Sequence, residues 1–192
     1  MKKLGLLLIL LVGILLEVQA QEQSEKSKKE LKQEKKEAKK LARQVAQSEA
    51  VLKSNVLITS KFWVLEATTL QGKQGSSVIN LDPTLNFVIV EQDKGIIQLG
   101  LNGLAGWNGV GGVTLEGDIT SYDVKPGKTE NQPVRLTARF SGPSVNAMLR
   151  LTVSGEYGDV VITGNYSNDR ITFRGKLVHP NESTVFVGRK TN

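Results

Sequence analysis

Apolar and polar side chains alternate with a period of two through most of the chain beyond Asn55, and this pattern constrains the fold more than any other feature. Successive side chains of a β-strand point to opposite faces, so the alternation predicts strands that each bury one face. Nine segments show it, at 61–70, 84–92, 95–101, 113–124, 133–141, 146–154, 159–166, 170–178 and 183–187. The apolar faces of so many strands must share one core.

Turn residues separate several of these strands. The segments at 93–95, 155–158 and 167–169 each join two alternating runs and carry Gly, Asn or Asp. Such residues accept positive φ or hydrogen-bond to their own backbone, which favours tight hairpins. Successive hairpins predict an up-and-down antiparallel sheet of about eight to nine strands, closed as a barrel or folded as a sandwich. The predicted class is α+β, mainly β, with an N-terminal amphipathic helix packed on an open side or end of the sheet.

The alternation also assigns the two faces of the sheet. The inward face is expected to be filled by large apolar side chains, namely Phe62, Phe87, Phe140, Leu149, Ile162 and Phe173. The outward face is expected to carry basic side chains at Arg135, Arg139, Arg150, Arg170 and Arg174. These arginines are a candidate contact face.

A charged helical segment at 21–55 precedes the β domain at 56–192. Residues 21–40 have Leu31 as their only large apolar residue, so we expect a solvated helix or a disordered segment there. Apolar residues recur every seven positions and widen into a stripe, made of Leu31, Ala38, Leu41, Ala42, Val45, Val51 and Leu52. Polar residues interrupt this stripe. We therefore favour a helix that packs on the β domain, rather than one that pairs with a partner helix in a coiled coil.

Residues 1–20 predict a cleavable signal peptide. Lys2 and Lys3 precede an apolar run at 4–16, about the length of a signal-peptide core and short for a bilayer span. Val18 and Ala20 occupy the small-residue positions that signal peptidase recognises, so we expect the mature chain to begin at Gln21. The chain has no cysteine, which excludes a lipoprotein anchor. We therefore expect a soluble periplasmic or secreted bacterial protein with no membrane span after cleavage.

The net charge of +6 is concentrated outside the β domain. Residues 21–55 carry ten Lys or Arg against six Glu, whereas residues 56–192 carry thirteen against twelve Asp or Glu. A nearly neutral β domain argues against nucleic acid as a partner. The lack of cysteine also excludes disulfides and thiolate metal sites, and the sequence indicates no cofactor.

Three segments carry a resemblance to a known family. They are Ser-Lys-Phe-x-Val-x-Glu-Ala at 60–67, Leu-Asn-Phe-Val-Ile-Val at 85–90 and Ser-Asn-Asp-Arg-Ile-x-Phe-x-Gly at 167–175. Together with the charged helix, they resemble the exported bacterial family called domain of unknown function 4251 over nearly the whole mature chain. That resemblance implies a fold and no activity, and it carries no functional residues. The family has a Leu-Pro-Tyr core after its third strand, where this chain has Gly-Leu-Asn-Gly at 100–103.

Residues suited to catalysis are few. His179, the only histidine, precedes Pro180 at a predicted strand end, where a solvated turn residue is a simpler interpretation than a triad member or zinc ligand. Glu116 and Asp118 share one face of a strand as a glycosidase pair would, but pairing with Arg139 of the next strand explains them. The sequence therefore predicts no catalytic or metal site.

Glycine is concentrated at 100–112. This segment lacks the Gly-Lys-Ser/Thr ending and following helix of a phosphate loop, and it does not have the dinucleotide-binding spacing. Its glycines are typical of a wide, mobile connection. Its apolar side chains also make it a candidate lid or contact loop, at Leu101, Leu104, Trp107 and Val110.

These features favour a non-catalytic binding or scaffolding protein of the cell envelope. Its helix or arginine face would contact an envelope protein or an anionic wall polymer. The alternative is a carrier of a small lipophilic molecule inside the barrel, which requires an interior that side chains do not fill. An enzyme ranks third for want of suitable residues. The oligomeric state and the identity of any ligand stay open.

Overall fold

A computed structural model of the chain describes residues 2–72, 77–100, 108–127, 132–164 and 170–189, with side chains from Lys29 onward. Within these residues it contains one long helix, α1 (Lys2–Ser60), and a short 3₁₀ helix (Pro180–Glu182). The strands are β1 (Phe62–Gln71), β2 (Val78–Asn80), β3 (Phe87–Glu91), β4 (Lys94–Leu99), β5 (Val113–Lys125), β6 (Val134–Ser141), β7 (Asn146–Ser154), β8 (Tyr157–Gly164) and β9 (Arg170–Val178).

Eight of the strands form a closed antiparallel barrel. Strands β3 to β9 pair in chain order, β1 pairs with β3, and β9 returns to pair with β1. Strand β2 is an addition that pairs only with the end of β1, through Thr69, Leu70 and Gln71. The structure confirms the predicted fold class and decides between its two forms in favour of the barrel.

Each barrel strand overlaps a predicted one, but the predicted strand at 183–187 is wrong. The described residues 183–189 run extended without entering the sheet. We call them the C-terminal strap. Their polar backbone atoms bond to side chains and isolated carbonyl groups: Thr184 N–H donates to Glu66 Oε1 at 3.0 Å, and Phe186 N–H donates to Thr84 O at 2.8 Å.

The strap explains why two predicted interior residues lie elsewhere. The outer faces of β1, β3 and β9 carry a second apolar cluster of Val64, Phe87, Ile89 and Val178, against which Val185 of the strap packs. Strands β1 and β3 are therefore apolar on both faces, and alternation alone does not tell their two faces apart. Phe87 is buried in this outer cluster, and Phe62 lies half-buried on the same face. Both predictions of an inward position were wrong.

The remaining large side chains face the barrel interior as predicted. Phe140, Leu149, Ile162 and Phe173 belong to the main core. Gly95 and Gly117 face each other across β4 and β5, and a Cβ on either would lie 3.1 Å and 2.8 Å from the Phe140 ring. The missing side chains on these two strands make room for the phenylalanine.

The described buried face of helix α1 overlaps the predicted stripe only at Val51. The chain divides into compact units at 1–46 and 47–192. In the first, Leu31, Leu41 and Val45 are exposed, and so is Leu52 in the second. The buried residues are Val51, Ser54, Leu57 and Ile58, spaced at three, four and seven positions. Within residues 47–192, the helix positions that pack on the barrel lie at 51–58, and the exposed Leu52 shows that the seven-residue stripe does not define the docking face.

The helix continues beyond Asn55 and ends at Ser60 in a defined cap. Lys61 has a φ of 58°, and its N–H donates to Ile58 O at 3.2 Å, which is the left-handed cap that usually carries glycine. Tyr122 of β5 donates its hydroxyl to the same carbonyl oxygen and accepts from Trp63 Nε1 at 3.0 Å. These bonds connect the helix end to the barrel wall.

Candidate functional site

The two ends of the barrel are built differently. Residues 47–60 of α1 close one end, where the Ser54 hydroxyl donates to Gly155 O in the β7–β8 turn. Leu57 and Ile58, which are 5% and 0% exposed, extend the main core there. Side chains of the helix therefore occupy this end of the barrel.

An apolar cavity of about 220 Å³ lies at the opposite end. It is bounded by the end of β4, the start of β5, the start of β7, the end of β8 and the start of β9. Its described lining residues carry no charged or hydrogen-bonding side chain: Ile97, Leu99, Val113, Leu115, Val145, Ala147, Ile162, Gly164, Ile171 and Phe173. Empty cavities lined in this way stay dry and bind small apolar molecules.

The size of the cavity limits what it can hold. An engineered cavity of about 150 Å³ accepts benzene, whereas sites for drug-sized ligands occupy about 300–1,000 Å³. The cavity therefore suits a small hydrocarbon group. It exists because the barrel interior is only partly filled, with Phe140 in the middle and no equally large side chain among the described lining residues except Phe173.

The glycine-rich segment reaches the rim of this end. Leu101, Leu104 and Trp107 of the candidate contact loop lie outside the described residues, and Val110 is half-buried. The described part, 108–112, is held by the buried Asn108, whose Oδ1 accepts from Val110 N–H at 3.1 Å and Gly112 N–H at 2.9 Å. A Cβ at Gly112 would lie 1.9 Å from Leu99 O. The glycine at this position is therefore explained by close backbone packing and not by a role in binding phosphate.

The five arginines of the predicted basic face all lie on the outside of the barrel. Their side chains are exposed on β6, β7 and β9, at Arg135, Arg139, Arg150, Arg170 and Arg174. Arg174 pairs with Asp159, with Nε–Oδ1 and Nη2–Oδ2 distances of 2.7 Å and 3.0 Å. The pKa of Arg174 is raised by this hydrogen-bonded partner. The alternation thus predicted that these arginines face outward, but it did not predict the ion pair of Arg174.

The residues considered for catalysis have structural roles where they are described. His179 Nδ1 accepts from Asn181 N–H at 3.1 Å and so caps the 3₁₀ helix. Asp118 pairs with Lys94 at 2.6 Å, and Arg139, its predicted partner, lies opposite Ser121 because a bulge shifts the register of β5. In the described part of the chain, no cluster of three His, Cys, Asp or Glu residues is placed to hold a metal ion.

The predicted signal-cleavage residues Val18, Ala20 and Gln21 lie within α1, in the part whose side chains are not described. Their recognition by a peptidase stays a prediction. Across the side chains that are described, the structure has no helix that is both long enough and apolar enough to cross a membrane.

Sequence reasoning missed Gln98, which is fully buried on the outer face of β4. Its amide donates to Leu85 O at 3.0 Å and Phe186 O at 2.9 Å. Its Oε1 accepts from Thr114 Oγ1 at 2.9 Å and Gly188 N–H at 2.8 Å. The outer face of β4 also carries Ile96, which is half-buried, and an apolar residue on this face is the sequence signal that another element covers the strand.

Comparisons with known proteins agree with this architecture. The family model described as domain of unknown function (DUF4251) matches residues 43–177. The crystal structure of a DUF4251 family protein from Bacteroides eggerthii DSM 20697 has a TM-score of 0.61 and 25% sequence identity, over 74% of this chain and 96% of that chain. None of the curated proteins matches. The family match spans the docked end of α1 and the barrel strands up to Leu177, so this chain belongs to the DUF4251 family.

Proposed function

We propose that the chain is an exported, non-catalytic binding protein whose barrel holds a small lipophilic ligand, or the apolar end of a larger one. The observation that carries the proposal is the apolar cavity of about 220 Å³ at the end opposite helix α1. Mouths of β-barrels are frequent ligand sites, and burial of hydrocarbon in such a cavity is favourable by about 25 cal/mol per Å².

The chemistry of the lining supports a hydrocarbon ligand. The described lining residues offer neither an ion pair nor a hydrogen bond, so a polar group placed among them would lose its water without compensation. A linear or branched alkyl chain, or a single unsubstituted ring, meets no such penalty. Any polar headgroup of the ligand would have to remain outside the cavity.

The choice of a binding protein over an enzyme has its own support. His179 is committed to a cap and Asp118 to Lys94, and neither lies among the described residues that line the cavity. The predicted signal peptide supports an envelope location, where a carrier or sensor of a lipophilic molecule would be useful.

Filling the cavity tests the proposal. Ala147 lines it, so Ala147→Leu would occupy part of the empty volume, whereas Thr152→Leu adds similar bulk to the exposed face of the same strand as a control. The probe is benzene, a single unsubstituted ring that fits a cavity of this size, and its binding is measured by isothermal titration calorimetry. We expect Ala147→Leu to weaken probe binding at least about tenfold and to leave the melting temperature unchanged or higher. Thr152→Leu should bind the probe like the wild type.

Two results would contradict the proposal. The first is a wild-type protein that does not bind the probe, or an Ala147→Leu variant that binds it as tightly. The second is a loss of about 1–3 kcal/mol of stability in Ala147→Leu, because that loss is typical of overpacking in a site that is already full. Native mass spectrometry of protein purified from its own host should in addition show a small adduct that organic solvent removes.

A further inference from the structure

We infer that the outer surface of β6 and β7 is a binding site for an anionic polymer of the cell envelope. The site consists of Arg135, Arg139 and Arg150, which we call the arginine triangle. It lies on the outside of the barrel wall, apart from the proposed lipophilic site at the barrel end, and it rests on the proposed function only for the export to the cell envelope.

The strand register brings the three arginines together. Arg150 of β7 lies directly opposite Thr137 of β6, so Arg135 and Arg139 are its two diagonal neighbours on that strand. Diagonal neighbours on adjacent strands are about 7–8 Å apart, which is the spacing of Arg150 from each of the other two arginines. Residues four positions apart on one strand, such as Arg135 and Arg139, are separated by about 13 Å. All three side chains are exposed on the same face of the sheet.

The arginines of the triangle form no salt bridge among the described residues. Strands β6 and β7 contain no Asp or Glu, and none of the three arginines has a carboxylate within salt-bridge distance among the described residues. Two acids lie at the same diagonal spacing: Asp123 of β5 is opposite Thr137, and Asp159 of β8 is opposite Thr152. Each has a cation of its own, since Asp123 Oδ2 lies 3.8 Å from Lys125 Nζ and Asp159 pairs with Arg174. Repulsion among the three arginines is therefore only partly offset, and a bound anion would relieve the rest.

The chemistry of the triangle points to a chain of carboxylates or phosphates. The guanidinium group presents a planar fork of donors that matches the two oxygens of either anion. The two forks on β6 lie about 13 Å apart and the third lies beside them on β7, so the three together exceed the size of a single small anion. A polymer with repeated negative groups engages all three at once and gains the avidity that separate anions do not.

Polymer binding can be tested with polygalacturonate as the carboxylate probe and poly(glycerol phosphate) as the phosphate probe, with neutral dextran as a blank. The test variant carries Arg135→Gln, Arg139→Gln and Arg150→Gln together. A control variant removes the same charge from exposed helix positions through Lys32→Gln, Lys36→Gln and Lys40→Gln. Titrations should be repeated at two salt concentrations.

We expect at least one anionic probe to bind the wild type, more weakly at high salt, and the arginine variant to lose about 10- to 100-fold in affinity. The lysine variant should retain most of it. The stronger probe identifies the anion. Equal losses in both variants would reduce the effect to net charge and overturn the site. So would a wild type that binds neither probe. Binding of benzene should be the same in all three proteins, which separates this outcome from that of the lipophilic site.

Discussion

Tyr122 is the residue that most directly connects helix α1 with the barrel. Its hydroxyl donates to Ile58 O, one of the last carbonyl oxygens of the helix, and accepts from the buried Trp63. Partial burial raises the pKa of Tyr122 to about 12 from its usual value of 10.0, and the hydrogen bond from Trp63 offsets a part of this rise. Lys61 Nζ lies 5.3 Å from the centre of the ring.

The raised pKa predicts how stability depends on pH. The folded state holds the Tyr122 proton more tightly than the unfolded state, so this contribution is fully present below pH 10.0 and is lost as pH rises through about 12. The free energy of unfolding should fall over this range in the wild type and fall less in Tyr122→Phe. Urea unfolding at pH 8, 10 and 11.5 measures it, at values chosen to bracket the usual tyrosine pKa of about 10. Parallel curves for the two proteins would contradict the prediction.

Gln98 is the second residue whose role is specific. Its side-chain amide makes four hydrogen bonds, two of them to strap residues Phe186 and Gly188. Gln98→Leu would leave these partners unpaired, so we expect a loss of about 2–4 kcal/mol in the free energy of unfolding. Faster hydrogen exchange should appear at the Gly188 amide. Gln71→Leu, at an exposed position of β1, is the control and should change stability by less than about 0.5 kcal/mol.

At the scale of elements, the end of helix α1 acts as a plug for one mouth of the barrel. Leu57 is 5% exposed and Leu52 is 58% exposed, although they lie within two turns of each other. Leu57→Ala should therefore cost about 2–4 kcal/mol of stability, whereas Leu52→Ala should cost less than about 0.5 kcal/mol. Chemical denaturation of the two variants checks this. Similar losses at both positions would mean that the seven-residue stripe also packs.

The strands show how far sequence reasoning reaches. Strands β6 and β7 were predicted with correct faces because one side is buried and the other wet, so their alternation is clean. Strand β2 escaped prediction because it has three residues, all exposed. The strap was mistaken for a strand because Val185 contacts an apolar cluster, which gives it the alternation of a strand without ladder bonds. The alternation within one segment indicates that a face is buried, but it does not indicate which element packs against that face.

The candidate sites follow the same rule. The outward position of the arginines came from alternation, whereas their grouping into a triangle depends on register between strands, which no single segment encodes. The cavity was not predictable either, because its volume is what remains after residues from five separate segments have packed. The sequence predicted a filled barrel interior because Phe62 and Phe87 were assigned to the inner face. Both residues lie on the outer face, so the interior holds fewer large side chains than predicted.

At the scale of the whole molecule, the wall closes through a pairing between its first and last barrel strands, as in Val64 with Val178. Neither β1 nor β8 has its full set of neighbours until β9 arrives. Contacts between such distant parts of a chain slow folding, because a long loop must close before they form.

That closing pair has a consequence for biogenesis. A nascent or nicked chain that ends before β9 keeps two open strand edges, and open edges recruit other chains. Pairing of β9 thus removes the open edges through which unfinished copies of the chain would aggregate. A protein made in this way is best kept extended, by a chaperone or by a translocation channel, until its last strand is available. The barrel topology therefore makes a complete chain less prone to aggregation than an incomplete one.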